Sequence, residues 1–198
     1  MFRWITRTTL AAGTTLPLLG LLTAAQAAPV HQHGRAEAAL VVEGDTLTLS
    51  FRAPLMDIVG AERPPADADE RARYQEQMDK VTAPRPSPAA GCELREEAVT
   101  TVAELFPEGQ ADHDHDHDHD HDHDHDHDHD HDHDHGGHRD LEASWTYQCA
   151  HMDRLDAVTW AFLADFPALT TEVILLRPQG QGARRLAPGQ TRLTLDDA

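Results

Sequence analysis

The 198-residue chain carries 35 acidic residues against 16 Lys and Arg, a formal charge of −19. Twelve of those acids belong to one repeat, which leaves 23 against 16 elsewhere, so the remainder is only mildly acidic. No basic stripe exists to neutralise phosphates, and this excludes a nucleic-acid-binding class.

Residues 1–27 read as a cleavable secretory signal. Arg3 and Arg7 supply positive charge, residues 10–22 are largely apolar, and Ala25-Gln26-Ala27 is a small-x-small cleavage site. The apolar stretch is too short for an anchor, so no membrane span is expected in the mature chain. That chain, residues 28–198, is 171 residues long and fits a single domain carrying one insertion. Export places it in the periplasm, where an isolated cysteine pair, Cys92 and Cys149, reads as a disulfide rather than a metal or redox site.

A hairpin comes first in the mature chain. Ala36, Ala38, Leu40 and Val42 share one strand face, Gly44-Asp45 centres a turn, and Leu47, Leu49 and Phe51 alternate with Thr48 and Ser50. Residues 54–60 form a short helical turn. Pro64-Pro65 can open a helix, with Tyr74, Met78 and Val81 as its apolar stripe. A stiff linker follows at residues 82–88, then one or two strands over residues 92–106.

After the repeat, Leu141, Ala143, Trp145, Tyr147 and Cys149 alternate with polar residues, which predicts a strand with Cys149 on the apolar face. Leu155, Val158, Phe162, Leu163 and Phe166 fit one face of a helix ended by Pro167. Residues 173–176 form a short buried strand, two Gly/Pro turns follow, and "TRLTL" closes the chain as a last strand. Each half thus reads as strand, helix, strand. The fold class predicted is α+β, a mainly antiparallel sheet with two or more helices, interrupted by a His-Asp-rich loop at residues 108–137.

That loop holds twelve consecutive Asp-His pairs from Asp112 to His135. The histidines are His113, His115, His117, His119, His121, His123, His125, His127, His129, His131, His133 and His135. Neutral imidazole suits Zn, Cu and Ni, and carboxylate ligates zinc or orients a ligating His. With no apolar residue to bury, the segment is expected to be disordered without metal. One zinc ion takes about four ligands, so twelve His can serve several Zn2+ ions at moderate affinity and high capacity. Ni2+ and Cu2+ are the alternative ions. A bland reading also exists, in which the repeat arose by slippage and is tolerated as a surface spacer.

Four histidines lie outside the repeat. His31 and His33 form an H-x-H pair whose side chains would point the same way on an extended segment. With His138 and the carboxylates Asp140 and Glu142 as minor ligands, they could build a tighter, fixed site. His151 is the weakest candidate, a helix-start residue. No GxSxG, HExxH, P-loop or GxGxxG occurs, so catalysis is not expected.

Several blocks together resemble a family. "HQHGRAEAALVVEGDTLTLSFRAPLMDIVGAE", "AAGCEL", the His-Asp insert, "HRDLEASWTYQCA" and "FLADFPALTTEVILLRPQGQGARRL" are similar, in that order, to the ZrgA-like periplasmic zinc-binding proteins. The resemblance implies a periplasmic protein that buffers zinc or passes it to an importer, a component of which is the candidate partner. It matches His31, His33 and Gly34 to the family's opening H-x-H-G, Cys92 and Cys149 to its paired cysteines, and His138 to the His before its "D-x-E-A" strand. The unusually pure Asp-His repeat departs from the family. The alternatives to this function are a nickel- or copper-binding detoxification or storage protein and a non-catalytic interaction module with the repeat as spacer.

Overall fold

The computed structural model describes residues 32–107 and 139–195. The alternating run at the start folds as expected into a hairpin. Strand β1 (Arg35–Glu43) pairs antiparallel with β2 (Thr46–Pro54), closing on Glu43 opposite Thr46. Gly44 takes φ 63° in this turn, a conformation that L side chains resist. Strand β5 (Asp140–Cys149) also forms where predicted, and it pairs with β2.

Nine strands and three short helices make up the described residues. The remaining elements are α1 (Leu55–Val59), α2 (Ala68–Met78), β3 (Arg85–Pro86), β4 (Cys92–Val99), α3 (Val102–Leu105), β6 (Ala157–Thr159), β7 (Thr170–Arg177), β8 (Gly180–Leu186) and β9 (Arg192–Thr194). Six strands form one sheet in the order β4-β5-β2-β1-β7-β8, and three form a second in the order β3-β6-β9. Only the β1–β7 pair is parallel. The α+β class with a mainly antiparallel sheet therefore holds.

One face of the large sheet is the core. Leu40, Leu49, Phe51, Leu141, Trp145 and Leu175 are almost wholly buried on it. Aromatic rings join this face to the segment after β6. Phe51 and Phe162 meet edge to face with centroids 4.9 Å apart, and Trp145 and Trp160 do so at 6.3 Å. Such pairs add about 0.5–1.5 kcal/mol each beyond their buried area. Leu55, Ile58, Tyr74 and Met78 extend the same core under α1 and α2.

Several elements differ from the sequence reading. No helix spans residues 155–166. A 3-10 turn (Met152–Arg154), β6 and a second 3-10 turn (Ala161–Ala164) occupy that stretch. Val158, Thr159 and Trp160 are strand formers, and β6 finds partners on both sides in β3 and β9. The helical spacing of the apolar residues arises from a strand and a turn burying successive sides. With no α-helix among the described residues of the second half, the strand-helix-strand likeness of the halves fails.

Helix α2 begins at Ala68, not at the prolines. Asp67 caps it by accepting the Glu70 N–H at 2.7 Å, and Glu70 in turn binds Arg63 and the Ala66 N–H. Within the expected linker, Arg85–Pro86 pairs with β6. Residues 92–106 give one strand and a one-turn helix with a Thr101/Glu104 capping box. The glycine- and arginine-rich "GQGARRL" is strand β8, which lies at a sheet edge where charge and glycine are tolerated. Strand β7 buries only one face, leaving Ile174 and Leu176 exposed.

Candidate functional site

The Asp-His repeat belongs to the connection between β4–α3 and β5, two strands that are direct antiparallel partners. Their ladder runs from Cys92 opposite Cys149 to Val99 opposite Ala143. Cys92 and Cys149 form the expected disulfide between residues 57 apart in sequence. At the other end Thr100 continues the pairing. Its N–H and hydroxyl both donate to the Glu142 carbonyl at 2.9 Å, and the Glu142 N–H returns to the hydroxyl at 3.1 Å.

One guanidinium ties the two ends of the connection to each other, and a second ties one end to α2. Arg139, the first described residue after the repeat, donates from Nη1 to the Leu105 carbonyl at 2.8 Å. Its guanidinium carbon lies 4.9 Å from the centre of the Phe106 ring, a cation–π contact. The Arg139 carbonyl accepts the Leu55 N–H at 2.8 Å. From α2, Arg71 donates twice to the Phe106 carbonyl at 3.2 Å. Helix α3 is held beneath by its capping box, and the Thr101 N–H and hydroxyl hold the Glu104 carboxyl below its usual range. Leu105 and Phe106 on one side of the repeat therefore lie against Arg139 on the other.

The H-x-H pair enters at the same end of the sheet. His33 is exposed and sits in a turn, not on an extended segment. Gly34 turns the chain at φ 77°, and its N–H donates to Asp57 Oδ2 at 2.8 Å. Strand β1 starts one residue later, at Arg35. Pro54 at the end of β2 faces Asp140 at the start of β5, with β2 lying between β1 and β5. The start of β1 thus lies about two strand spacings, roughly 10 Å, from the start of β5.

The two carboxylates expected as minor ligands have different surroundings. Asp140 is nearly buried and is gripped by Arg52, whose Nε donates to Oδ2 at 2.6 Å and whose Nη2 also contacts it. Its geometry is that of an internal anchor. Glu142 is 68% exposed, with Arg52 Nε 3.6 Å away. Among the described residues no three His, Cys, Asp or Glu side chains come together so as to hold a metal ion. His31, the twelve repeat histidines from His113 to His135, and His138 lie outside the described residues, as does the expected signal. His151 caps the 3-10 turn before Leu155, and its N–H donates to the Ala90 carbonyl.

The sequence reading missed Arg71, Phe106 and Arg139. Only the position of Arg139 beside the repeat hinted at a role, because its partners lie 33 and 34 residues back along the chain. Among the described residues no helix is long and apolar enough to cross a membrane. Residues 30–195 match a family model described as ZrgA family zinc uptake protein. No curated protein matches the sequence.

Proposed function

Since this chain belongs to the ZrgA family of zinc uptake proteins, we propose that it acts in the periplasm, capturing or buffering zinc through its Asp-His repeat and so supporting import. The observation that carries this reading is the repeat itself, twelve imidazoles alternating with twelve carboxylates. That donor set matches zinc's preference for nitrogen and oxygen ligands in fours. Supporting it is the clamp at Arg139, Arg71 and Phe106, which lets a segment bind and release ions without disturbing the strands on either side. The role is binding, not catalysis, and zinc is the cargo. His31, His33 and His138 supply a smaller, tighter class of site, and the receiver of the ion is a component of a zinc importer.

Titration calorimetry with zinc tests the reading on the full chain and on a variant lacking residues 112–135. Most of the stoichiometry disappears in the variant while the near-ultraviolet spectrum of the fold stays. Unchanged stoichiometry would refute the repeat as the reservoir. Substituting His31, His33 and His138 with Ala removes a minor class that outcompetes a chelator. Affinity weakens as pH falls through about 6.5, because histidine ligates only when neutral.

A further inference from the structure

Helix α1 follows β2 directly, and its sequence Leu-Met-Asp-Ile-Val buries Leu55 and Ile58 while leaving Asp57 half-buried. Two buried anchors on so short a helix fix the carboxylate that lies between them. That carboxylate accepts the Gly34 N–H, the amide of the peptide joining His33 to Gly34, at 2.8 Å and across 23 residues of sequence. The contact is partly buried, so removing the acceptor leaves an N–H without its partner.

The backbone around His33 is held elsewhere too. The Arg35 N–H closes a four-residue turn onto the Gln32 carbonyl at 3.1 Å, with His33 and Gly34 at its corner. Gly34 has φ 77°, the value that a type II turn asks of its third residue. The Gly34 carbonyl accepts the Thr170 N–H at 2.9 Å, which fastens the turn to the start of β7. An exposed histidine thus stands on a backbone fixed by α1 on one side and β7 on the other. Among the described residues, the tie from Asp57 is the one on this turn's backbone that comes from a side chain, so substitution can remove it.

We propose that Asp57 is a positioning residue for zinc at His33, fixing through the backbone the turn that carries the imidazole, without itself touching the ion. The inference rests on the proposed role of His33 in the tighter class of site. A ligand on a fixed turn has little conformational freedom left to lose on binding, and this raises affinity. Outer partners that orient a metal ligand contribute about 10–100-fold in affinity. Asp57 acts one step further out, on the ligand's own backbone, so the lower end of that range applies. The tie needs an acceptor and not a charge, and this separates positioning from direct ligation.

The test is competition for zinc between the full chain and a chromogenic chelator, which reads the tight class, while calorimetry on the same proteins reads the weaker one. Asp57→Ala weakens the tight class by about tenfold and leaves the weaker class unchanged. Asp57→Asn, whose amide oxygen still accepts the Gly34 N–H, recovers most of that loss. Gly34→Ala keeps Asp57 but resists φ 77°, and it weakens the tight class in the same way. It carries the test should Asp57→Ala not fold, and a tight class untouched by it would then overturn the proposal. His33→Ala, run alongside, separates two failures. If it loses the tight class and Asp57→Ala does not, this inference alone falls. If it loses nothing, the zinc site at His33 falls and the inference with it. Equal losses in Asp57→Ala and Asp57→Asn would make the charge or a direct bond to zinc the cause and overturn positioning. A lower unfolding temperature with the tight class intact would leave Asp57 a structural contact and overturn it as well.

Discussion

Replacing both Cys92 and Cys149 with Ala tests how the fold tolerates its long insertion. The bridge closes a loop between residues 57 apart. Chain-entropy cost for a loop of that size is about 4 kcal/mol at 25 °C. The double variant is therefore expected to lose about 4 kcal/mol, a large share of the ~5–15 kcal/mol typical of a domain. Urea unfolding followed by tryptophan fluorescence reads this directly, because Trp145 and Trp160 are fully buried beside one another. The loop length adds an internal check. Removing residues 112–135 shortens the separation to 33, so the bridge should then contribute about 0.5 kcal/mol less. A loss below about 1 kcal/mol, or one that grows when the repeat is removed, would refute the loop-closure argument.

Other perturbations probe single contacts. Arg139→Ala removes the donor to Leu105 and the cation over Phe106, and it should destabilise by about 1–2 kcal/mol. Faster amide exchange in α3 and at Phe106, with β1 and β2 unaffected, would localise the loss to the clamp. Tyr147→Phe leaves the buried Pro84 carbonyl without its donor, for an expected cost of about 1–3 kcal/mol in urea unfolding. Burial, aided by Glu97, pushes the Tyr147 hydroxyl up to about 12. Its contribution is thus complete below pH 10 and fades as pH rises through about 12, a fade that should be absent in the Phe variant. Glu70 behaves oppositely. The hydrogen bond from Arg63 and the Ala66 N–H lower its carboxyl to about 2. Its stabilisation is present above about pH 4.5 and lost toward pH 2, so Glu70→Gln should flatten that part of the acid-unfolding profile.

The sequence alone determined what depends on neighbouring residues. Strict alternation with one apolar face placed β1, β2 and β5, and Gly44-Asp45 placed the turn, because strand period and turn conformation are local properties. The composition of the repeat was equally legible, an unbroken alternation of carboxylate and imidazole. Pairing between distant segments was decided only by the tertiary structure. Residues 155–166 carry helical spacing, yet β6 forms because β3 and β9 flank it. "GQGARRL" reads as a turn, yet it extends because β7 offers an open edge. Asp140 accepts from Arg52, 88 residues away, a pairing that no local pattern announces. Arg139, Arg71 and Phe106 meet only when α2, α3 and β5 come together. Such contacts arise from loop closure over tens of residues, and no local pattern encodes which ends will meet.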